Sequence, residues 1–223
     1  MRQLPTASPT VPTPVRTDMP LSAQTPPPVG VPPLNGEPLP LEFVNTVFPV
    51  KGVLMDGFRT TEHLAWWLRS CRGSLATHLP ESAVDALGVA DVQCFVMLRD
   101  ASRRLVDALV NCREADPWDV AHLNRAATMD RAWPLLCWNA GERPVAVHVS
   151  TAVPSIAVQS EIAHAVVRLL TGASGVEPKA CVAPGCVFYF DQARSRREWC
   201  STGCGNRARA ARHYARRHPH RDC

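Results

Sequence analysis

Two pairs of cysteines near the end of the chain constrain its fold more than any other feature. The members of one pair are separated by four residues and those of the other by three, and thirteen residues lie between the pairs. Structural zinc is tetrahedral and commonly takes thiolates from two such pairs, and the few apolar residues here could not fold this segment without a metal. Four thiolates leave no open position for catalysis, so the site would be structural. We therefore predict a Zn²⁺ site formed by Cys181, Cys186, Cys200 and Cys204, with an iron–sulfur cluster as the alternative that the ligand type alone permits.

The expected state of the remaining cysteines depends on whether the protein stays in the reducing cytoplasm. The start of the chain has no apolar core like that of a signal peptide, so we expect a cytoplasmic protein with reduced thiols. The chain has nine cysteines, and an odd number also argues against a disulfide framework. Four of them lie among apolar residues and are predicted to be small core hydrophobes: Cys71, Cys94, Cys112 and Cys137.

A basic helix is predicted directly after the second cysteine pair. Residues 206–217 contain neither proline nor glycine and are rich in alanine and arginine. At 100° per residue, one side of this helix carries Arg209, Arg212 and Arg216. An adjacent strip of small residues is expected to pack on the metal loop, and it consists of Ala208, Ala211 and Ala215.

The positive charge of the chain is concentrated in this tail. Residues 181–223 contain nine arginines and three acidic residues, whereas the rest of the chain has a slight acidic excess. A cationic helix on a metal-pinned scaffold can neutralise phosphates and enter a major groove, so we predict double-stranded DNA as the partner. The predicted nucleic-acid contacts are Arg194, Arg196, Arg197, Asn206, Arg207, Arg209, Arg212, Arg216 and Arg217. The alternatives are a solvated basic helix and a protein-interaction or redox-sensing module without direct DNA binding.

Proline content separates an N-terminal arm from the rest of the chain. Residues 1–36 contain ten of the 21 prolines and few charges, which predicts a disordered, extended arm. We predict a mostly helical domain over 37–172, a linker over 173–180, and the zinc finger with its basic helix over 181–223.

Apolar periodicity predicts a mainly helical body. Thr60 and Asp116 can cap helices, and the predicted helices cover about 60–68, 91–113, 117–127 and 154–171. In the second of these, the charged positions fall mostly opposite the apolar side: Arg99, Asp100, Arg103, Arg104 and Asp107. Apolar runs at 135–138 and 145–149 predict a β-hairpin. The predicted fold class is α+β, a mainly helical N-terminal domain with a small β-hairpin or sheet and a small C-terminal treble-clef-like zinc finger that ends in the basic helix.

The tail resembles the CGNR zinc-finger family. Cys204-Gly205-Asn206-Arg207 spells the motif, Trp199-Cys200 precedes it, and Phe190-Asp191 lies upstream. The resemblance implies that the four cysteines are zinc ligands and that Asn206 and Arg207 are motif residues. The loop after Asp191 and the last cysteine pair are each about one residue shorter than in the family pattern. This difference affects what can be expected of the loop, and it does not affect the prediction of metal binding.

The body resembles the ABATE domain, whose members are described as stress-induced transcription regulators. The resemblance is spread over about 39–172 and is carried by Glu42–Thr46, Thr60–Leu68 and Met97–Arg99. It implies a one-component regulator in which a sensing or dimerising body is joined to a DNA-binding finger. A homodimer is compatible with this organisation, and the sequence identifies no small-molecule effector.

No catalytic or membrane signature accompanies these motifs. The chain has no run of 18 apolar residues, no phosphate loop, no nucleophile elbow and no metalloprotease histidine pair, so we expect neither an enzyme nor a membrane partner. Histidines such as His63 are interpreted as surface or hydrogen-bonded groups. Asn45-Thr46 with Arg59 could line a ligand pocket, but we favour a structural polar turn beside the core.

Overall fold

A computed structural model describes residues 28–193 and 197–217 of the chain, which has an α+β fold as predicted. The α-helices of these residues are α1 (Leu39–Val44), α2 (Thr61–Cys71), α3 (Glu81–Asp85), α4 (Val89–Val110), α5 (Pro117–Ala127), α6 (Pro154–Leu170) and α7 (Thr202–Arg217). The strands form three antiparallel hairpins, β1 (Val47–Val50) with β2 (Val53–Asp56), β3 (Trp133–Cys137) with β4 (Val145–Val149), and β5 (Pro178–Ala180) with β6 (Tyr189–Asp191). None of the described helices has the length and apolar character needed to cross a bilayer.

Helices begin where the sequence supplies capping groups. At the start of α2 the Oγ1 of Thr60 accepts the N–H of His63 at 3.3 Å. At the start of α5 the carboxylate of Asp116 accepts the N–H of Trp118 at 2.8 Å, and Pro117 occupies the first helical position. Both predicted caps are confirmed, and they satisfy N–H groups that have no partner within the helix.

The longest helix, α4, is the centre of the body, and α1, α2, α5 and α6 pack around it. An aromatic cluster fills the interior between these helices, with ring centroids 5.4 to 6.5 Å apart. Its rings are at most 1% exposed, and they belong to Phe43, Phe58, Trp67 and Phe95. Such rings bury a large apolar area, so this cluster is a main source of the stability of the body.

A line of charged residues along α4, beside the apolar core, is covered by other parts of the chain. Arg99, Arg103 and Asp107 are four residues apart and therefore lie in one line along the helix. Arg99 is 2% exposed and donates to both carboxylate oxygens of Asp56 at 2.6 and 2.9 Å, which holds the β1–β2 hairpin on the body. These residues were predicted to lie mostly opposite the apolar side, which is wrong for Arg99, because its guanidinium is buried over the Phe58 ring of the core. That the hairpin and the finger cover this line was not predicted.

Cys112 ends α4 in a conformation that glycine usually adopts. Its φ is +50°, and the N–H groups of Cys112 and Arg113 return to carbonyls of the last turn of α4 at 3.2 and 2.8 Å, which is a Schellman motif. Cys112 is exposed there, so the prediction that it is a core hydrophobe was wrong. Of the other cysteines of the body, Cys71 is buried, and Cys94 and Cys137 are half-buried.

Residues 1–27 of the predicted arm lie outside the described residues, and residues 28–36 lie against the body. The carbonyl of Val29 is 3.1 Å from Nε2 of His63, and the N–H of Asn35 donates to Glu42 at 2.8 Å. His63 is therefore a buried, hydrogen-bonded histidine, which agrees with its interpretation as a satisfied group.

Candidate metal centre and basic helix

A tight turn after β5 presents the first cysteine pair. Cys181 directly follows β5, and its N–H donates to the carbonyl of Phe188 at 2.9 Å. The N–H of Cys186 donates to the carbonyl of Ala183 at 3.0 Å, across a turn in which Gly185 has a φ of +71°. Glycine adopts this left-handed conformation without steric cost, so the turn brings the two thiols of the pair together.

The second cysteine pair lies at the start of α7. The N–H of Cys200 points to the Sγ of Cys181 at 3.5 Å. Cys204 lies in the first turn of the helix, where its N–H donates to the Oγ of Ser201 at 3.2 Å. The helix begins at Thr202, four residues before the predicted start, so the fourth cysteine belongs to the helix itself. Any metal bound here would connect the β5–β6 turn directly to α7.

The four sulfur atoms form a cluster of the size that a tetrahedral metal requires. All four Sγ atoms lie within 4.8 Å of one another. The Sγ atoms of Cys186, Cys200 and Cys204 are separated by 3.4 to 3.7 Å. Tetrahedral Zn–S bonds of about 2.3 Å place the sulfurs about 3.8 Å apart. The donor set and its spacing therefore fit Zn²⁺, and three of the four cysteines are buried.

Ionisation of these thiols is coupled through their hydrogen bonds. A hydrogen bond from Cys200 lowers the pKa of Cys186 to about 5, although burial acts in the opposite direction. The Cys186 sulfur and burial in turn raise the pKa of Cys200, and burial raises the pKa of Cys181. Four thiolates at these distances repel one another, so a divalent cation is what allows all four to be ionised together.

The glycine and the arginine of the CGNR motif each have a structural role beside the cluster. The Nη2 of Arg207 lies 3.0 Å from the Sγ of Cys204, which places a positive charge next to a ligand atom. A Cβ added to Gly205 would lie 3.1 Å from Cε3 of Trp199, which is tighter than an ordinary van der Waals contact. The glycine therefore allows the indole to pack directly on the backbone of α7.

The indole of Trp199 orients two arginines of α7. The guanidinium carbons of Arg209 and Arg212 lie 5.8 and 5.6 Å from its ring centroid, a distance at which cations are attracted to the ring. Arg209 also donates to the Oδ1 of Asn206 at 2.6 Å. Both arginines remain exposed. They are thus presented to solvent with restricted side-chain freedom.

Only the first residue of the alanine strip packs on the metal loop. Ala208 is buried, whereas Ala211 and Ala215 are exposed, so the prediction for the rest of the strip was wrong. The cause is that the finger covers only the first part of α7, and the helix continues beyond it. Arg216 and Arg217 lie on this projecting part, and within the described chain they make no hydrogen bond or ion pair.

The loop between the cysteine pairs contributes a half-buried arginine that contacts the body. Arg197 pairs with Glu37, whose side chain is 2% exposed, and its guanidinium lies 5.0 Å from the ring centroid of Phe190. Its predicted role as a nucleic-acid contact stays a prediction. Arg194 and Arg196, which were predicted from the same loop, lie outside the described residues.

The finger is held on the body mainly through hydrogen bonds to its main chain, a contact that we call the joint. The side-chain amide of Asn45 donates to the carbonyl of Tyr189 at 2.8 Å and accepts its N–H at 2.9 Å. Arg103 donates to the carbonyls of Val44 and Val187 at 2.7 and 2.6 Å and lies 5.2 Å over the Tyr189 ring. Asn45 is therefore a structural residue, and its partner lies in the finger.

Two carboxylates complete the joint. Glu37 accepts the N–H of Asp191 at 3.0 Å, and Asp107 accepts the hydroxyl of Tyr189 at 2.9 Å. Burial, together with the bond to Asp107, raises the pKa of Tyr189 to about 12, so the hydroxyl stays protonated and donates. These joint contacts were not predicted. The available signal was Asn45, an uncharged polar residue next to the apolar Phe43 and Val44.

The fold and the site together define a protein with a helical body and a four-cysteine, zinc-type finger. A family model named ABATE, with the description putative stress-induced transcription regulator, matches residues 37–173, which is more than half of the chain. The chain therefore belongs to the ABATE family. The model of the CGNR zinc finger matches residues 178–217. A search of the curated proteins found no match.

Proposed function

We propose that this protein is a cytoplasmic, DNA-binding transcription regulator without enzymatic activity, in which structural Zn²⁺ fixes an arginine-rich helix for contact with duplex DNA. The observation that carries the proposal is the projecting end of α7. Residues 202–217 contain five arginines and no acidic residue, and only the first part of this helix is covered by the finger.

The dimensions and charge of α7 support this use. Its 16 residues make a rod about 24 Å long, and the major groove of B-DNA, about 12 Å wide, admits an α-helix. Arg209 and Arg212 are held by Trp199, whereas Arg216 and Arg217 lie exposed at the helix end without a partner among the described residues. Restricting two arginines before binding reduces the entropy lost when they contact phosphates or base edges.

The metal would act as a structural clamp. Bound by Cys181, Cys186, Cys200 and Cys204, Zn²⁺ would supply the binding free energy that keeps the β5–β6 turn and α7 together. Protein residues orient the basic helix: the indole of Trp199 orients the arginines, and the joint sets the direction of α7 relative to the body. A homodimer would place two such helices on two half-sites.

The test is a comparison of two triple variants that remove the same charge. The first is Arg209→Ala/Arg212→Ala/Arg216→Ala. The control removes three exposed arginines of the body, in Arg125→Ala/Arg131→Ala/Arg143→Ala. Zinc-loaded, full-length proteins are titrated with labelled duplexes selected from a random pool, at several salt concentrations, and the zinc content is measured on the same samples.

The proposal expects salt-sensitive binding that depends on the helix arginines. Each lost phosphate contact makes the negative slope of log K against log salt less steep by about 0.9. The slope of the helix variant should therefore be less steep than that of the wild type by about 2 to 3, and the slope of the control should be unchanged. Absence of salt-sensitive binding by the zinc-loaded protein refutes DNA binding. Equal affinity of the two triple variants would favour a protein-interaction or redox-sensing finger instead.

A further inference from the structure

A groove crosses the body between the C-terminal halves of α4 and α6 and the helix α5. Its volume is about 310 Å³, at the lower end of the range of small-molecule pockets. The floor and walls are apolar, and their larger side chains are Leu105, Leu109, Val120, Leu123, Val167 and Leu170. No residue in the lining is acidic. The groove lies on the body, apart from the metal cluster and the exposed side of α7.

Three polar side chains lie in the lining of the groove: Arg113, Asn124 and Thr171. Thr171 donates its hydroxyl to the carbonyl of Val167 at 2.9 Å within α6, so it is already satisfied. The side-chain amide of Asn124 makes no hydrogen bond within the part of the chain that the structure describes. The Schellman motif after α4 fixes the backbone of Arg113 at the groove. The lining of the apolar groove therefore includes the permanent positive charge of Arg113 and an amide donor, Asn124, that is available to a ligand.

We propose that this groove binds a small amphipathic carboxylic acid. The hydrocarbon part lies among Leu109, Val120 and Val167, and the carboxylate accepts hydrogen bonds from Arg113 and Asn124. A carboxylate suits this site because a guanidinium binds it with two parallel hydrogen bonds, whereas an amine would meet the cation without any acidic neighbour in the lining. The volume limits the ligand to a medium-chain or single-ring acid.

The same arginine connects the groove to the finger. Arg113 pairs with Asp107, and Asp107 accepts the hydroxyl of Tyr189 in the joint at 2.9 Å. The Arg113 and Asp107 side chains are 61% and 38% exposed, so the pair is solvated and contributes little. A bound carboxylate competes with Asp107 for the guanidinium and thereby alters the charge that faces the Tyr189 hydroxyl. Ligand binding and finger attachment are linked by this chain of contacts, whether or not the finger binds DNA.

The experiment compares octanoate with 1-octanol, which has the same chain length and no charge. Binding to the zinc-loaded, full-length protein is measured by titration calorimetry. Octanoate is expected to bind about tenfold more tightly than octanol, as one charge-assisted contact at a solvated site would give. Arg113→Gln should reduce octanoate binding to that of octanol, whereas Arg125→Gln, an exposed arginine of α5 outside the groove, should leave it unchanged.

A second variant and a second signal make the test decisive. Val120→Trp fills the groove without changing charge and should abolish binding of both probes; Val120 lines the groove and is 38% exposed, so the indole can enter the groove without displacing buried core residues. The chain has two tyrosines, so ¹³C-tyrosine labelling gives one ring signal for Tyr189 and one for Tyr214. Octanoate should shift the Tyr189 signal in the wild type and not in Arg113→Gln.

The outcomes separate the parts of the proposal. Absence of saturable octanoate binding, unchanged binding in Arg113→Gln, or binding that persists in Val120→Trp overturns the site. Octanoate binding with an unmoved Tyr189 signal overturns the connection to the finger. None of these measurements uses DNA, so failure of the proposed function would leave them interpretable.

Discussion

Replacing Asn45 with alanine tests whether the joint holds the finger on the body. Asn45 is 1% exposed and makes both of its joint hydrogen bonds to the peptide groups of Tyr189. The variant leaves a buried N–H and a buried carbonyl without their partner. An unsatisfied buried polar group costs about 1 to 3 kcal/mol, so we expect the free energy of unfolding to fall by roughly 2 to 6 kcal/mol.

The assay follows the body and the finger separately during urea unfolding. Far-ultraviolet circular dichroism reports the helices, and the absorbance of Co²⁺ placed in the cysteine cluster reports the finger. In the wild type the two transitions should coincide, because the finger and the body share the joint. In Asn45→Ala the Co²⁺ signal should disappear at lower urea than the helical signal.

A matched control distinguishes loss of the joint from loss of any asparagine. Asn139 is exposed and bonds to Glu142 at 3.1 Å in the β3–β4 turn, so Asn139→Ala should change stability by less than about 0.5 kcal/mol. A loss below 1 kcal/mol in Asn45→Ala, with coincident transitions, would show that these two hydrogen bonds do not secure the finger.

Three further changes probe the end of α4, the start of α7 and a half-buried ion pair. Cys112→Gly removes a side chain at a φ of +50° and should raise the thermal midpoint, with a gain of about 0.5 to 1 kcal/mol; a lower midpoint would contradict the strain. Gly205→Val should push the adjacent indole away and weaken Zn²⁺ binding in a chelator competition, whereas Gly203→Ala, whose added Cβ would have its nearest neighbour at 3.8 Å, should leave binding unchanged. Burial raises the pKa of Asp56, but the hydrogen bonds from Arg99 and from the N–H of Phe58, together with the positive charges of Arg99 and Arg59, outweigh it and lower the pKa below the usual value. The ionised Asp56 therefore stabilises the fold above its unfolded pKa and stops doing so as pH falls through the folded pKa, so Asp56→Asn should be less stable than wild type at pH 7 and approach it in acid-side urea titrations; a constant difference across that range would refute the ion-pair argument.

The local signals in this sequence were sufficient to predict much of the secondary structure. Thr60 and Asp116 are capping residues whose effect lies within three positions of themselves, and both helices start where they indicate. The spacing of the cysteines likewise encodes a local arrangement, because each pair closes a short loop or a first helical turn. These features follow from a few adjacent residues, and therefore the sequence alone reveals them.

The joint could not be predicted in the same way. Asn45 and Tyr189 are 144 positions apart, and Arg103 lies 84 positions from its carbonyl acceptor in the finger. Helical periodicity shows on which side of α4 a charged residue lies, but the choice between water and another segment as its neighbour depends on how the whole chain packs. The exposure of Ala211 and Ala215 has the same origin, since the extent of the finger that covers α7 is a tertiary property.

The joint also has a consequence for how the finger can vary between related proteins. Asn45, Arg103 and Glu37 recognise peptide N–H and carbonyl groups of the finger, and such groups are the same whichever side chains the finger carries. Substitutions along the projecting surface of α7 would therefore leave the joint between the finger and the body unchanged. The exposed residues of α7 could therefore change through mutation or recombination while the orientation of the finger on the body stays the same.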